Sequence, residues 1–240
     1  MSIPSEMFTM LEALSQMIKP AHQLVSAQTG LVLATALQPG EIKSDDDPPG
    51  WDKREENWTI DELLGQYDAQ AREITIFTKG IAYVAQRMGA LQEHVNYIVR
   101  IHEWAHANFH LGVTLETSME LAKASLRDDE ALLRIAAEDL TEKYRSVDSY
   151  VHEQIAQSVT WLALEELRAQ ATADKAKQAC AQLCEAFTAL TRRQPAAYQV
   201  DHLQHLAHDQ LRSRLRRVID LIRNGDVRGD RKIWDTIMPW

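Results

Sequence analysis

The stretch IVRIHEWAHANFHLG, residues 98–112, places three histidines and one glutamate in an otherwise largely apolar segment. Apolar residues recur at three- and four-residue steps over residues 90–111, and a glycine follows, so the pattern predicts one helix. His102 and His106 are then one turn apart on the same face of that helix. At this spacing both imidazoles can reach a single tetrahedral zinc ion.

Glu103 completes an HExxH pattern with the two histidines. It is displaced by one residue from His102, so its carboxylate points beside the metal rather than at it. That position suits a general base that takes a proton from metal-activated water and returns it to a leaving amine. The motif also lies on the apolar side of its helix, where two histidines and an acid would be costly to bury without a partner. The pattern therefore favours a metal site over ordinary polar residues.

A third ligand is expected from SVDSYVHEQIAQSVTWLALEEL, residues 146–167, which has the period of a second helix. Glu153 lies in the first turns of that helix, and a small residue three positions later would let two helices approach closely. Glu153 is therefore the preferred third ligand. His152 and Glu120 remain alternatives.

HEWAH on one helix, followed by HEQIAQSVTWLAL on a later one, resembles the gluzincin branch of the zincin metallopeptidases. Within that branch, the sequence is most similar to compact intracellular members such as the ImmA/IrrE-like metallopeptidases. The resemblance covers about residues 59–170. It implies that His102, His106 and Glu153 bind one zinc ion per chain and that Glu103 is the general base.

The same resemblance implies a substrate-binding edge strand near the motif helix. REITIFT, residues 72–78, is the one convincing strand in the sequence and takes this place. Zincins also use a tyrosine or histidine donor to stabilise the tetrahedral intermediate. Tyr150 and His152, which lie close to the proposed ligand in sequence, rank first as catalytic residues, and Tyr144 and Tyr67 remain open.

The metzincin branch is disfavoured, because it needs a glycine and a histidine where this chain has Phe109 and Gly112. His110 lies eight residues after His102, two turns along the helix. It is too far along to join a single metal with ease. We expect His110 to support the site or pack in the core, with a ligand or substrate contact as the alternative.

The expected fold is mainly α within the α+β class: a zincin-like helical core, a small sheet and additional terminal helices. Residues 1–38 are predicted to form N-terminal helices, and the acidic residues 39–58 a linker or flap without regular structure. Residues 59–170 are the predicted core. Residues 171–240 are expected to form a C-terminal helical extension packed on it.

Local signals refine these boundaries. Thr59 and Glu62 fit a capping box for a short helix that ends at Gly65. Asp148 or Ser146 can cap the helix that carries the third ligand.

The net charge of −9 disfavours nucleic acid and anionic membrane surfaces as partners. The longest apolar run, residues 30–37, is too short to cross a bilayer, and the first residues do not have the pattern of a signal peptide. A cytoplasmic protein is therefore expected. Cys180 and Cys184 share a helix face and are expected to be buried free thiols.

Residues 201–232 are predicted to form a long helix followed by a loop. Their histidines at three-residue steps, His202, His205 and His208, are then a polar helix face rather than a second metal site. The arginines that follow are expected to form salt bridges. The apolar tail, which includes Trp234 and Met238, is expected to dock on the body of the protein.

These features together predict a zinc-dependent peptidase that hydrolyses a peptide bond with metal-activated water. A selective endopeptidase acting on a protein or peptide is preferred, since no motif for capture of a chain terminus is visible. The alternative is a catalytically inactive helical interaction or regulatory protein that retains a zincin-like fold. The oligomeric state is left open.

Overall fold

The computed structural model describes most of the chain after residue 38. The described residues are 39–46, 48, 64–112, 131, 138, 141, 142, 144–224 and 230–238. They are mainly helical with a small three-stranded sheet, which confirms the predicted fold class. The N-terminal helices predicted for residues 1–38 lie outside the described residues.

The sheet consists of β1 (Gly40–Ser44), β2 (Gly65–Asp68) and β3 (Glu73–Phe77), in the order β1-β3-β2. β1 runs parallel to β3, whereas β2 runs antiparallel to it. Ile74 and Ile76 of β3 are fully buried. These two isoleucines are two residues apart and point to the same face, so the apolar alternation of this central strand marks one buried face of the sheet.

The prediction that REITIFT forms an edge strand near the motif helix was wrong. REITIFT contributes β3, which has a neighbour on each side, and the edge strands of the described sheet are β1 and β2. Gly65 begins β2 rather than ending a helix. The capping box at Thr59 and Glu62 lies outside the described residues. The segment GQYD contains a glycine and an aspartate, which are typical of a turn. It forms a strand here because it pairs with β3.

The prediction that the acidic segment lacks regular structure was also wrong for its first residues, which form β1. β1 is mostly exposed, and Ile42 is its one large apolar residue, so the sequence shows no alternation. Its position depends on tertiary contacts. Glu41 lies 2.8 Å from Arg100 Nε and accepts a hydrogen bond from Trp104 Nε1 at 3.2 Å.

Two helices follow the sheet. α1 (Thr78–Met88) ends at Gly89, whose φ of 66° is the left-handed conformation that glycine adopts without strain. α2 (Gln92–Gly112) carries the HExxH motif over the predicted range. Its buried apolar face confirms the predicted period: Val95, Ile98, Ile101, Ala105 and Phe109.

The next long helix, α3 (Ser149–Gln170), packs along α2. Asp148 caps it, because its side chain accepts a hydrogen bond from Tyr150 N at 2.8 Å, so one of the two predicted caps is confirmed. Its core positions are all buried, as predicted: Val151, Ile155, Val159, Leu162 and Leu167. α2 and α3 thus bring the two halves of the proposed site together.

The C-terminal part contains α4 (Asp174–Thr191), a 3-10 turn (Ala196–Tyr198), α5 (His208–Asn224) and α6 (Arg231–Ile237). α4, α5 and α6 all contact α3. The helix predicted from residue 201 begins only at residue 208.

His202 and His205 therefore lie in turns before α5, not on one helix face with His208. Trp234 and Met238 are fully buried, which confirms that the tail docks on the body. Cys180 and Cys184 are buried and free, as predicted. Within the described ranges, no helix has both the length and the hydropathy that a membrane crossing needs.

Candidate metal centre

Three potential ligand atoms converge between α2 and α3. His102 Nε2 lies 3.0 Å from His106 Nε2, and Glu153 Oε2 lies 3.2 Å from the first nitrogen and 3.4 Å from the second. The histidines are one helical turn apart on α2, and the carboxylate reaches them from the second turn of α3. The structure therefore brings together the three residues predicted as metal ligands.

This arrangement fits a tetrahedral metal ion. Bonds of 2.0–2.1 Å at tetrahedral angles separate two ligand atoms by about 3.3 Å. Glu153 Oε2 is also buried, and its close neighbours among the described polar groups are the two imidazole nitrogens. Burial acts to raise the pKa of Glu153, but the neighbouring imidazoles of His106 and His102 hold it well below its usual range. A carboxylate and two imidazoles are the ligands that zinc prefers in catalytic sites.

Glu103 is buried beside this cluster and rests against β2. A Cβ atom at Gly65 would lie 2.8 Å from Glu103 Cγ and 2.9 Å from its Oε1, so only glycine leaves room for the side chain. The backbone N–H of Tyr67 donates a hydrogen bond to the carboxylate. Burial raises the pKa of Glu103 to about 7, against the lowering effect of His106. A carboxyl group with a pKa near neutrality can both accept and return a proton.

The cluster opens into a cavity of about 380 Å³. Besides His102, Glu103, His106 and Glu153, the described lining residues are Leu64, Gly65, Gln66, Tyr67, Ile98, Val99, Tyr144, Gln157, Leu190, Gln194 and Tyr198. No lysine or arginine is among them. The centre is therefore accessible to a ligand, and the only carboxylates in its described wall are Glu103 and Glu153.

Tyr144, one of the two lower-ranked oxyanion candidates, lines this cavity next to His106. Its hydroxyl lies 3.4 Å from His106 Nδ1. If Nε2 binds a metal, a neutral imidazole carries its proton on Nδ1 and can donate it to the phenol oxygen. Burial raises the pKa of Tyr144 well above its usual value, so the phenol stays neutral. Tyr144 is thus placed to orient a ligand.

His152, ranked first as an oxyanion donor, is not among the residues that line the cavity. Its Nε2 lies 2.8 Å from the carbonyl oxygen of Tyr144, and the two rings are 4.1 Å apart. Burial lowers the pKa of His152 to about 4, so the ring is neutral. His152 therefore packs against Tyr144, which itself lines the cavity.

Tyr150, the other first-ranked candidate, is not among the described residues that line the cavity. The guanidinium of Arg231 on α6 sits 4.3 Å from the centre of its ring. This contact fastens the C-terminal helix to α3. Tyr150 is three residues before Glu153, close to one helical turn, but its ring contacts α6 and is not part of the described cavity wall.

His110 packs in the core below the cavity. Its Nδ1 lies 2.8 Å from the hydroxyl of Tyr67, and burial lowers its pKa to about 4. The described metal-ligand cluster does not include it. His110 therefore supports β2 through Tyr67, which itself lines the cavity.

Sequence reasoning missed the part of the cavity wall that comes from the C-terminal segment. Leu190 lies in the last turn of α4, and Gln194 follows just after the helix ends. Tyr198 lies in the 3-10 turn, and the centre of its ring is 6.0 Å from that of His102. Nothing in the local pattern marks these residues. They reach the site through the packing of α4 on α3.

Comparison with family models, with curated proteins and with solved structures gives no match to this chain. The assignment to a protein class therefore depends on the geometry of the site.

Proposed function

We propose that the protein is a zinc-dependent peptidase that hydrolyses a peptide bond, and that it acts as a selective endopeptidase on a protein or peptide. The observation that carries the proposal is the convergence of His102 Nε2, His106 Nε2 and Glu153 Oε2 within 3.4 Å of one another beside a buried glutamate. A cytoplasmic location stays a prediction from the sequence.

Each residue has a defined part in this reaction. Zinc held by the three ligands would supply Lewis-acid polarisation of the attacking water and of the scissile carbonyl. Glu103 takes a proton from the attacking water, whose oxygen forms the new bond to the carbonyl carbon. When the carbon–nitrogen bond breaks, Glu103 returns the proton to the leaving nitrogen. Its position against β2 holds the carboxylate beside the ligands while the proton moves.

The wall of the cavity supports an extended peptide as substrate. β2 contributes Gly65, Gln66 and Tyr67 of the wall, and it pairs with β3 along one side only among the described strands. A substrate chain can add to the free side of such a strand by backbone hydrogen bonds. The described wall has no cationic group to bind a free terminal carboxylate. Both features favour cleavage inside a chain.

The test combines metal content with cleavage. Protein purified without chelators should carry about one zinc per chain by mass spectrometry, and Glu103→Gln should carry as much. In a proteome-wide survey of newly formed N-termini, the wild type should produce cleavages that Glu103→Gln does not. Glu185→Gln, which changes an exposed carboxylate on α4, should cut like the wild type.

The result separates the two candidate functions. Zinc without any cleavage above the Glu103→Gln background would contradict the peptidase and favour a structural metal in an interaction or regulatory protein. A chain that binds no divalent metal would contradict both the metal centre and the peptidase.

A further inference from the structure

We propose that Gln157 forms a substrate subsite: its side-chain oxygen accepts a hydrogen bond from a substrate peptide N–H and, with Gln194 and Tyr198, selects uncharged residues. This inference rests on the proposed function for its substrate class, a polypeptide. It concerns a part of the cavity wall that takes no part in metal binding.

The observation behind it is an unsatisfied buried amide. Gln157 lies one turn after Glu153 on α3, lines the cavity and is only 4% exposed. Its Nε2 donates to Gln194 Oε1 at 3.3 Å, whereas its Oε1 is buried and has no hydrogen-bond partner among the described residues. An acceptor left unpaired in this way is unfavourable, because it has lost its hydrogen bonds to water without gaining another partner. Buried polar atoms in cavities are commonly completed by a ligand or by water.

The partner of Gln157 is held firmly in place. Gln154 is fully buried on α3, and its Nε2 donates to the carbonyl oxygens of Ala197 at 2.8 Å and Gln199 at 3.0 Å. Gln199 in turn donates from its side chain to the carbonyl oxygen of Gln194 at 3.0 Å. These bonds fix the segment after α4 against α3. The amide of Gln157, one turn after Glu153 on α3, is therefore held in place by its bond to Gln194.

The chemistry of the wall defines the substrate class. An amide oxygen can accept a hydrogen bond but cannot donate one, so its partner is an N–H or O–H group. A peptide N–H is the donor that every residue except proline offers. Apart from Glu103, Glu153 and the two histidines, the described lining is neutral. A charged substrate side chain beside Gln157, Gln194 and Tyr198 would lose its water without gaining an ionic partner from these three residues.

The test measures binding and does not require turnover. Zinc-loaded Glu103→Gln protein is immobilised and presented with a library of randomised octapeptides that are acetylated and amidated, so that no charged terminus contributes. Retained peptides are sequenced by mass spectrometry. The same is done after adding Gln157→Met, which keeps the length of the side chain but removes the amide, or Gln178→Leu, which changes an exposed glutamine on α4. Zinc content is measured for all three proteins.

The Glu103→Gln protein should enrich peptides with uncharged residues at one position of the bound frame. Gln157→Met should weaken their retention about tenfold or more at unchanged zinc content, and Gln178→Leu should not. A retained peptide N-methylated at the contacting N–H should bind about tenfold more weakly to the Glu103→Gln protein. The same N-methylation should cost nothing further against Gln157→Met.

The subsite is contradicted if no peptide is retained, if Gln157→Met retains the same peptides equally well, or if no single N-methyl group weakens binding. The N-methylated peptides are bound to the Glu103→Gln protein, which keeps Gln157. Their result therefore holds even if the Gln157→Met variant folds poorly. Cleavage separates this inference from the proposed function. Equal cleavage by wild type and Gln157→Met would remove the subsite alone, whereas binding that depends on Gln157 without cleavage by the wild type would remove the peptidase alone.

Discussion

Two parts of the cavity wall differ in how the sequence encodes them. The proposed metal-binding part is built on α2 and α3, where the period of each helix places His102, His106 and Glu153 on inward faces. The other part consists of β2 and the segment that ends with Tyr198, and it is held by contacts between residues far apart in the chain. The residue spacing within two helices is thus sufficient to predict the proposed ligand cluster. The rest of the cavity wall depends on tertiary packing.

This comparison predicts that changes in the two parts separate metal affinity from peptide cleavage. The largest effect is expected in the metal-binding part. His106→Ala removes one of three ligands and should weaken zinc binding by more than about a hundredfold. His205→Ala, an exposed histidine before α5, is the matched control and should bind zinc like the wild type. A competition titration with a chromophoric chelator measures both, and similar affinities would contradict the assignment.

An intermediate effect is expected in β2. Gly65→Ala places a methyl group 2.7 Å from Val99 Cγ1 and 2.8 Å from Glu103 Cγ, so the carboxylate must move. Cleavage should fall about a hundredfold, because a general base displaced by about an ångström loses its alignment. Zinc affinity should stay within about twofold of the wild type, since the atoms nearest to the added methyl group belong to Val99 and Glu103 and not to a proposed ligand.

Gly40→Ala is the control for this change. The nearest atom to a new Cβ there is Glu73 Cγ at 3.9 Å, an ordinary contact. Unchanged cleavage in Gly65→Ala, or a loss of zinc equal to the loss of cleavage, would show that β2 does not position Glu103 independently of the metal.

A smaller effect, on stability at low pH, is expected from the buried histidine His110, which contacts Tyr67 of the cavity wall. Burial lowers the pKa of His110 to about 4 from an ordinary value of 6.5, so the unfolded chain binds more protons than the folded one between these values. The stability that this neutral histidine allows is complete above pH 6.5 and is lost as the pH falls toward 4. At pH 5 the loss due to His110 is about 2 kcal/mol.

Urea denaturation of metal-free protein at pH 7 and pH 5 measures this loss. His110→Gln has no such group, so its free energy of unfolding should fall by about 2 kcal/mol less than that of the wild type. His205→Gln should behave like the wild type. An equal fall in wild type and His110→Gln would show that His110 does not carry the effect.

The sequence was sufficient where one helix carries the information. The range of α2, the cap at Asp148 and the inward positions of α3 all followed from period and capping. Glu153, the preferred third ligand, lies at the cluster, whereas the alternative His152 faces Tyr144. The other alternative, Glu120, lies outside the described residues.

The sequence was insufficient where the information is shared between distant segments. β1 is a short exposed strand that exists because β3 offers it a parallel partner and Arg100 binds Glu41. Gly65 signals a turn in sequence, but its use here is the close approach of Glu103. Gln157 carries no motif at all, and its free oxygen is visible only once α4 is packed on α3. Pairwise tertiary contacts of this kind leave no period to detect.

The central claim is that α3 supplies the third ligand to a metal held by α2. The most direct test is the zinc dissociation constant of Glu153→Gln compared with Glu185→Gln, its exposed counterpart on α4. Loss of the carboxylate charge from the cluster should raise the dissociation constant at least about tenfold while the circular dichroism spectrum stays helical. A dissociation constant equal to that of Glu185→Gln would contradict the account.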